Sequence, residues 1–119
     1  MGCGLSKAHK KEITLVENII KCRKEFHNNM NALIELHNNS LPEWKTTETN
    51  ASKSWRYQLQ TIRDYMYAQY KQAEQNYQEL CSKQSIHKIN TYRIIRQNID
   101  SMKVDLDFVT NNFVLGSKT

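Results

Sequence analysis

Apolar residues recur at intervals of three and four along most of the chain, which is the spacing of one face of an α-helix. The first such run extends from about Glu12 to His37 and predicts an amphipathic helix. Asn29 interrupts its seam, and a polar residue in that position more often fixes register than performs chemistry. The seam residues are Leu15, Ile19, Cys22, Phe26, Leu33 and Leu36, widened by Val16, Ile20, Met30 and Ile34.

A linker is predicted at residues 38–52, where Asn, Ser and Thr gather around Pro42. These residues compete with helical backbone bonding, and a helix rarely continues through the residue before a proline. The flanking helices should therefore form an antiparallel hairpin, the second beginning near Ser52 or Ser54, either of which can cap it. The second seam is Trp55, Leu59, Ile62, Met66, Ala73 and Leu80, with Tyr65, Tyr70 and Tyr77 beside it.

A third apolar stripe begins at Tyr92, out of phase with the second. The register slips across residues 81–87, so either one long helix passes through a stutter or the helix breaks, with Ser82 or Ser85 starting a third. Gly116 is expected to end the pattern. The predicted fold is all-α: a helical hairpin, or a three-helix bundle or coiled coil, behind a flexible N-terminal tail.

Composition supports long helices in a single domain. The 119 residues include three Gly and one Pro, and their 39% hydrophobic content is lean for a globular core. Because no apolar run approaches about 18 residues and no secretory signal begins the chain, we expect a cytosolic protein. Cys3, Cys22 and Cys81 are too few and too widely spaced for a disulfide framework, which favours reduced thiols.

The first eleven residues, MGCGLSKAHKK, read as a lipid-attachment signal. Gly2 and Ser6 match the N-myristoylation pattern, and Cys3 lies beside the acylated glycine as a palmitoylation candidate. One myristoyl chain binds bilayers with a constant of only about 10⁴ M⁻¹, so a second signal is needed. Palmitate on Cys3 supplies one, and Lys7, Lys10 and Lys11 supply another through contact with anionic lipid. The domain organisation expected is a lipidated basic tail at 1–11 and a helical domain at 12–116.

The net charge of +5 is unevenly distributed. Residues 1–24 hold six Lys and Arg against Glu12 and Glu17, whereas Asp100, Asp105 and Asp107 gather near the C-terminus. That polarity suits a molecule with one end on a negative surface.

Chemistry-bearing side chains form no catalytic constellation in the sequence, which favours a non-enzymatic protein without cofactor or metal. Cys81 and His87 are six residues apart and lack a second pair to complete a zinc set. Tyr92, Arg93 and Arg96 could stack bases, but tyrosine on a helical seam is usually packing or a protein interface. Nucleic-acid binding is therefore an alternative rather than the expectation.

The segment Met102-Lys103-Val104-Asp105-Leu106-Asp107 resembles the M-K-x-D-L-D signature of the KxDL family of small coiled-coil proteins. The runs 88–90 and 94–96 are similar to the C-terminal helix of the myrlysin family, whose members also begin Met-Gly and are myristoylated. Both families belong to BORC, a helical complex on the cytosolic face of lysosomes that recruits an Arf-like GTPase. The resemblance covers about thirty residues and implies a subunit of such a complex.

Together these features predict a lipid-anchored helical adaptor on the cytosolic face of the plasma membrane or an endolysosomal membrane. Its partners would be membrane lipid and a coiled-coil protein or a second copy. An alternative is a signalling regulator released from the membrane by phosphorylation of Ser6. The predicted partner interface is the third stripe, which comprises Tyr92, Ile95, Ile99, Met102, Leu106, Val109 and Phe113. A first helix of about 25 residues is expected to be too short to cover this stripe while also covering the second helix.

Overall fold

The computed structural model describes residues 7–82 and 89–113. They form three α-helices, α1 (Lys7–Asn38), α2 (Asn50–Ser82) and α3 (Ile89–Asn112), with a short 3-10 helix at Pro42–Lys45. No strand occurs in these ranges, so the all-α prediction is confirmed. Gly116, the expected end of the pattern, lies outside the described residues.

Helices α1 and α2 form the antiparallel hairpin that Pro42 predicts, and they are the most closely packed pair. Near the turn, the Trp55 indole Nε1 donates a hydrogen bond to the Leu36 carbonyl at 3.2 Å. At the opposite end, Lys11 Nζ lies 3.2 Å from Glu79 Oε2. These two contacts fix the pairing along the length of both helices.

Helix α3 returns alongside both, antiparallel to α2 and parallel to α1. Tyr77 on α2 contacts Tyr92 near the start of α3, with ring centroids 6.4 Å apart. His37 near the end of α1 meets Phe113 just beyond α3 at 4.6 Å. The chain therefore reverses between Ser82 and Ile89, which excludes a single long helix with a stutter. The result is an elongated three-helix bundle measuring 65 × 24 × 18 Å.

The core is one continuous line of apolar side chains along the bundle axis. All three predicted seams point into it, with Leu36 and Ile62 partly buried at its margin. The buried apolar residues are Leu15, Ile19, Cys22, Phe26, Leu33, Trp55, Leu59, Met66, Tyr70, Ala73, Leu80, Tyr92, Ile95, Ile99, Met102, Leu106 and Val109.

Both of the first two helices begin earlier than the sequence predicts. Helix α1 starts at Lys7, so residues 7–11 are helical and the tail ends before the expected boundary at residue 11. Helix α2 starts at Asn50, so neither Ser52 nor Ser54 is its N-cap. Thr49 is the cap: its Oγ1 accepts from the Ser52 N–H at 3.1 Å, and the Thr49 N–H donates to Ser52 Oγ at 2.9 Å. This reciprocal pair is a capping box.

The prediction that Ser82 or Ser85 starts the third helix is wrong for Ser82, the one of the two that the structure describes. Ser82 is the last residue of α2, where its hydroxyl donates to the Glu79 carbonyl at 2.9 Å. Ser85 lies outside the described residues. Helix α3 begins at Ile89.

Candidate membrane-facing end of the bundle

Opposite charges gather in the two halves of the bundle. The half that contains residues 7–24, 67–82 and 89–100, here called the basic half, carries nine Lys and Arg against five Asp and Glu. The other half, residues 25–66 and 101–113, here called the acidic half, carries five Lys and Arg against seven Asp and Glu. Because α1 and α2 pack antiparallel, the uneven distribution of charged residues along the chain becomes a separation of charge along the long axis of the bundle.

The start of α1 concentrates this positive charge. A helix N-terminus already carries about half a positive charge from its backbone dipoles, and acidic side chains normally offset it. The first turn of α1 holds no acidic residue and begins with Lys7, followed by Lys10 and Lys11. Dipole and lysines therefore have the same sign, an arrangement that becomes favourable when an anion is nearby.

The predicted membrane lysines do not share one environment. Lys10 and Lys11 are both exposed, but Lys11 also forms an ion pair with Glu79. Lys11 therefore contributes to the packing of α1 on α2, as well as to the charge of the basic half. Lys7 belongs to the first turn of α1.

The predicted lipidation sites, Gly2 and Cys3, lie outside the described residues. Ser6, the hydroxyl of the acylation pattern, also lies outside them. Since α1 begins at Lys7, Gly2 is five residues from a helix whose first turn belongs to the basic half.

The prediction that the third stripe is a free partner surface is wrong. Ile99, Met102 and Val109 are each 0% exposed within this one chain. Tyr92, Ile95 and Leu106 are buried with them, and Phe113 packs against the same core. The physical reason is the return of the chain after α2: α3 folds back against α2 and α1, so its stripe joins the core that those two helices already form.

The KxDL-like segment divides between the core and the surface. Leu106 is buried, as its position on the stripe predicts, and Lys103 is exposed and paired with Asp107 at 2.9 Å. Asp105 is half-buried rather than fully outward. Val104 is 65% exposed and is the apolar residue of the motif that faces solvent.

The aromatic and basic residues considered for base stacking are engaged within the bundle. Tyr92 is buried against Tyr77, and the Arg96 guanidinium lies 5.4 Å from the Tyr77 ring centroid. Arg96 is also paired with Asp100 at 2.8 Å. Arg93 is exposed. These contacts favour packing over a stacking platform for nucleic acid.

The two cysteines of the described residues lie in the core or at its margin. Burial raises the pKa of the Cys22 thiol, with Glu25 adding to the rise, which disfavours the nucleophilic thiolate. Cys81 is half-buried beside Tyr77, one turn away. His87, its candidate partner, lies outside the described residues. Among residues 7–82 and 89–113, no cluster of three His, Cys, Asp or Glu side chains is placed to hold a metal ion.

A groove between α1 and α3 is the feature that the seam pattern missed. It lies in the basic half and encloses about 350 Å³. Ile20 and Ile94 flank it at 54% and 57% exposure, and the buried Ile19 and Ile95 also line it. Arg23 and Asn98, hydrogen-bonded to each other from opposite helices, lie along its wall. The only sequence signal was the presence of two isoleucines outside the heptad seams.

Comparisons with protein-family profiles, curated protein sequences and solved structures find no match to this chain. Within the described helices, none combines the length and apolarity needed to cross a bilayer.

Proposed function

We propose that this protein is a non-enzymatic helical bundle tethered to the cytosolic face of a membrane. A myristoyl chain on Gly2 provides the first contact, and a thioester-linked acyl chain on Cys3 makes it stable. Lys7 and Lys10 add electrostatic attraction to anionic lipid, each contributing about 1 kcal/mol near the surface.

One observation carries the proposal: the acylation motif immediately precedes a helix terminus that holds Lys7, Lys10 and Lys11 and belongs to the basic half. Helix α1 begins without an acidic residue in its first turn, and the basic half surrounds that end. A membrane-bound tail would bring this end to the lipid surface and point the acidic half away from it. Lipid attachment and charge polarity therefore favour the same orientation.

The experiment compares Gly2→Ala and Cys3→Ser with the unmodified chain by cell fractionation, with intact-mass measurement of each protein. Gly2→Ala should move the protein to the cytosol, because it removes both the myristoyl chain and the membrane visits that Cys3 acylation requires. Cys3→Ser should leave weak, salt-sensitive binding. Ser54→Ala, an exposed position in the acidic half, is the control and should fractionate like the unmodified chain.

Full membrane retention of Gly2→Ala would contradict the anchor. So would an intact mass that shows an unmodified N-terminus in protein recovered from membranes.

A scaffold role on that membrane would use the outer face of α3. The third stripe packs into the core of the bundle. In the second half of α3, the exposed apolar residues are therefore Val104 and Phe108, at 65% and 49% exposure. These two side chains are accessible to a coiled-coil partner. Membership of a BORC-type complex is a proposal that rests on the resemblance at residues 102–107, and copurification would test it. Phe108→Ser should lose such a partner without losing membrane attachment.

The alternative of a phosphorylation-controlled regulator gains support from the start of α1. Ser6 directly precedes Lys7, so a phosphate on Ser6 would lie next to the helix N-terminus and its lysines. Its charge of about −2 would offset the positive end that the proposal assigns to the membrane. Ser6→Asp should weaken binding to anionic vesicles more than binding to neutral ones. Equal binding of both forms to anionic vesicles would remove this alternative.

A further inference from the structure

We propose that the groove between α1 and α3 receives the myristoyl chain of Gly2, so that the acyl chain exchanges between the protein and the bilayer. The inference rests on the proposed acylation of Gly2, and it adds a regulation that the anchor alone does not imply. The groove is an apolar surface in the basic half, and the acylated tail leads into the same half.

The chemistry of the groove suits a hydrocarbon. Its lining is dominated by Val16, Ile19, Ile20, Ile94 and Ile95, and Thr91 lies among them. Two of the polar side chains in the lining are hydrogen-bonded: the Arg23 guanidinium donates to Asn98 Oδ1, and Asn98 Nδ2 donates to the Ile94 carbonyl at 2.9 Å. Lys24, which also belongs to the lining, is exposed at the same end of the groove. Burial of apolar surface is thus the main favourable contribution available there, about 0.8 kcal/mol per methylene.

The size of the groove discriminates among occupants. A helix with its side chains is about 10–12 Å across, so a docking helix needs a long, broad surface. The space between α1 and α3 is about 350 Å³ and ends where Arg23 and Asn98 join the two helices. This is the scale of a single small ligand or acyl chain.

The length of chain before α1 places Gly2 within reach. From Lys7, the residues Val16 to Ile20 lie about 14–20 Å along the helix at 1.5 Å per residue. The five residues from Gly2 to Lys7 span at most about 17 Å. A tail turned back along α1 would therefore bring the acylated glycine to the Val16 end of the groove, and the hydrocarbon chain would extend along it toward Ile20.

Competition between groove and bilayer sets the apparent membrane affinity. A chain that spends about nine-tenths of its time in the groove loses about tenfold in apparent affinity for the bilayer. Because one myristoyl chain binds bilayers only marginally, with a constant of about 10⁴ M⁻¹, this factor decides whether the protein is bound or free before Cys3 is acylated.

The test uses the full chain, myristoylated by coexpression with an N-myristoyltransferase and verified by intact mass. The first measurement is nuclear magnetic resonance without lipid, comparing the acylated protein with Gly2→Ala. Acylation should shift the Ile20 and Ile94 methyl resonances and give nuclear Overhauser effects from the acyl chain to both. Absence of these effects would overturn the inference.

The second measurement is partition of acylated protein onto neutral phosphatidylcholine vesicles. Ile94→Glu should raise the partition coefficient about tenfold, because a charge in the groove expels the chain. Val104→Glu is the matched control, since it places the same charge at an exposed β-branched residue of α3 outside the groove. It should leave partition unchanged, and circular dichroism should show both variants as helical as the parent. Equal partition of the two variants would contradict the proposal.

The two proposals can fail separately. Acyl contacts with Ile20 and Ile94 in a protein that binds no vesicle would support the groove and contradict the anchor. Vesicle binding that depends on Gly2, without those contacts, would support the anchor and overturn the groove. A dimer that forms without acylation and is abolished by Ile94→Glu would also overturn it, because the occupant would then be a second copy.

Discussion

The two halves of this bundle are closed in different ways. At the hairpin-turn end of the acidic half, aromatic side chains fill the space between the helices: the Trp55 and Trp44 ring centroids lie 5.8 Å apart, and His37 lies between Trp55 and Phe113. The basic half has the Tyr77–Tyr92 pair but leaves an apolar groove open between α1 and α3. The contrast suggests that one half mainly secures the fold, while the other carries the surface available for ligand and membrane.

Truncation of the aromatic closure should have the largest effect on stability. Trp55 is 2% exposed and its indole is hydrogen-bonded to the Leu36 carbonyl. Trp55→Ala should lower the free energy of unfolding by about 3–5 kcal/mol, measured by urea denaturation. Tyr57→Ala, on the exposed face of α2, is the control and should change it by less than about 0.5 kcal/mol. Similar losses from both would show that the aromatic cluster does not secure this half.

A charged residue introduced into the third stripe tests whether the stripe is buried within one chain or faces outward. Leu106→Asp should destabilise the isolated monomer by about 3–5 kcal/mol, because it places an uncompensated charge among α3 core residues. Val104→Asp, two residues away and mostly exposed, should have little effect. If Leu106→Asp left the thermal transition of the monomer unchanged, the stripe would face outward, as the sequence alone suggested.

The basic half also contains a buried polar group that reduces its stability. Asn76 is 6% exposed, and its Nδ2 has no hydrogen-bond partner among residues 7–82 and 89–113. Leaving such a donor buried costs about 1–3 kcal/mol, so Asn76→Leu should raise the free energy of unfolding by about 1 kcal/mol. Gln75→Leu, at the neighbouring exposed position, controls for added hydrophobicity. A loss of stability in Asn76→Leu would show that the amide is satisfied by ordered water.

The smallest effect concerns pH in the acidic half. Burial lowers the pKa of His37 below its usual 6.5, and the Lys45 ammonium lowers it further, although a hydrogen bond with Asn38 acts in the opposite direction. The neutral ring is therefore favoured in the folded state. Above 6.5 both states are neutral; as pH falls below 6.5, the unfolded chain binds the proton first and stability decreases. His37→Phe should flatten this decrease in urea titrations between about pH 7 and pH 5. An unchanged pH profile would contradict the assignment.

Periodicity predicted most of the fold because each seam directly records the face that a helix buries. It identified the seam positions between Leu15 and Leu33 and between Trp55 and Leu80, which are buried in the core or pack against it. It also found the α3 stripe, but it could not tell which molecule covers that stripe. The answer depended on the packing of α3 back onto α2 and α1, which the spacing of apolar residues within one helix does not specify.

The N-cap of α2 was predicted incorrectly because several neighbouring residues have side chains that can cap a helix. Ser52 and Ser54 both qualify as helix caps, yet Ser52 is buried at the third position of α2, where its hydroxyl lies 2.7 Å from the Thr47 carbonyl. Thr49 caps the helix instead. The groove could not be predicted because it depends on the spacing between α1 and α3, which a heptad pattern does not contain.

The central claim is that the basic half faces the membrane, and one pair of charge deletions tests it most directly. Binding of the myristoylated protein to phosphatidylserine-containing vesicles should fall about fivefold for Lys10→Gln, since a lysine near an anionic surface contributes about 1 kcal/mol. Lys53→Gln removes the same charge from an exposed position in the acidic half and should leave binding unchanged. Equal losses from the two variants, or no loss from Lys10→Gln, would contradict the proposed orientation.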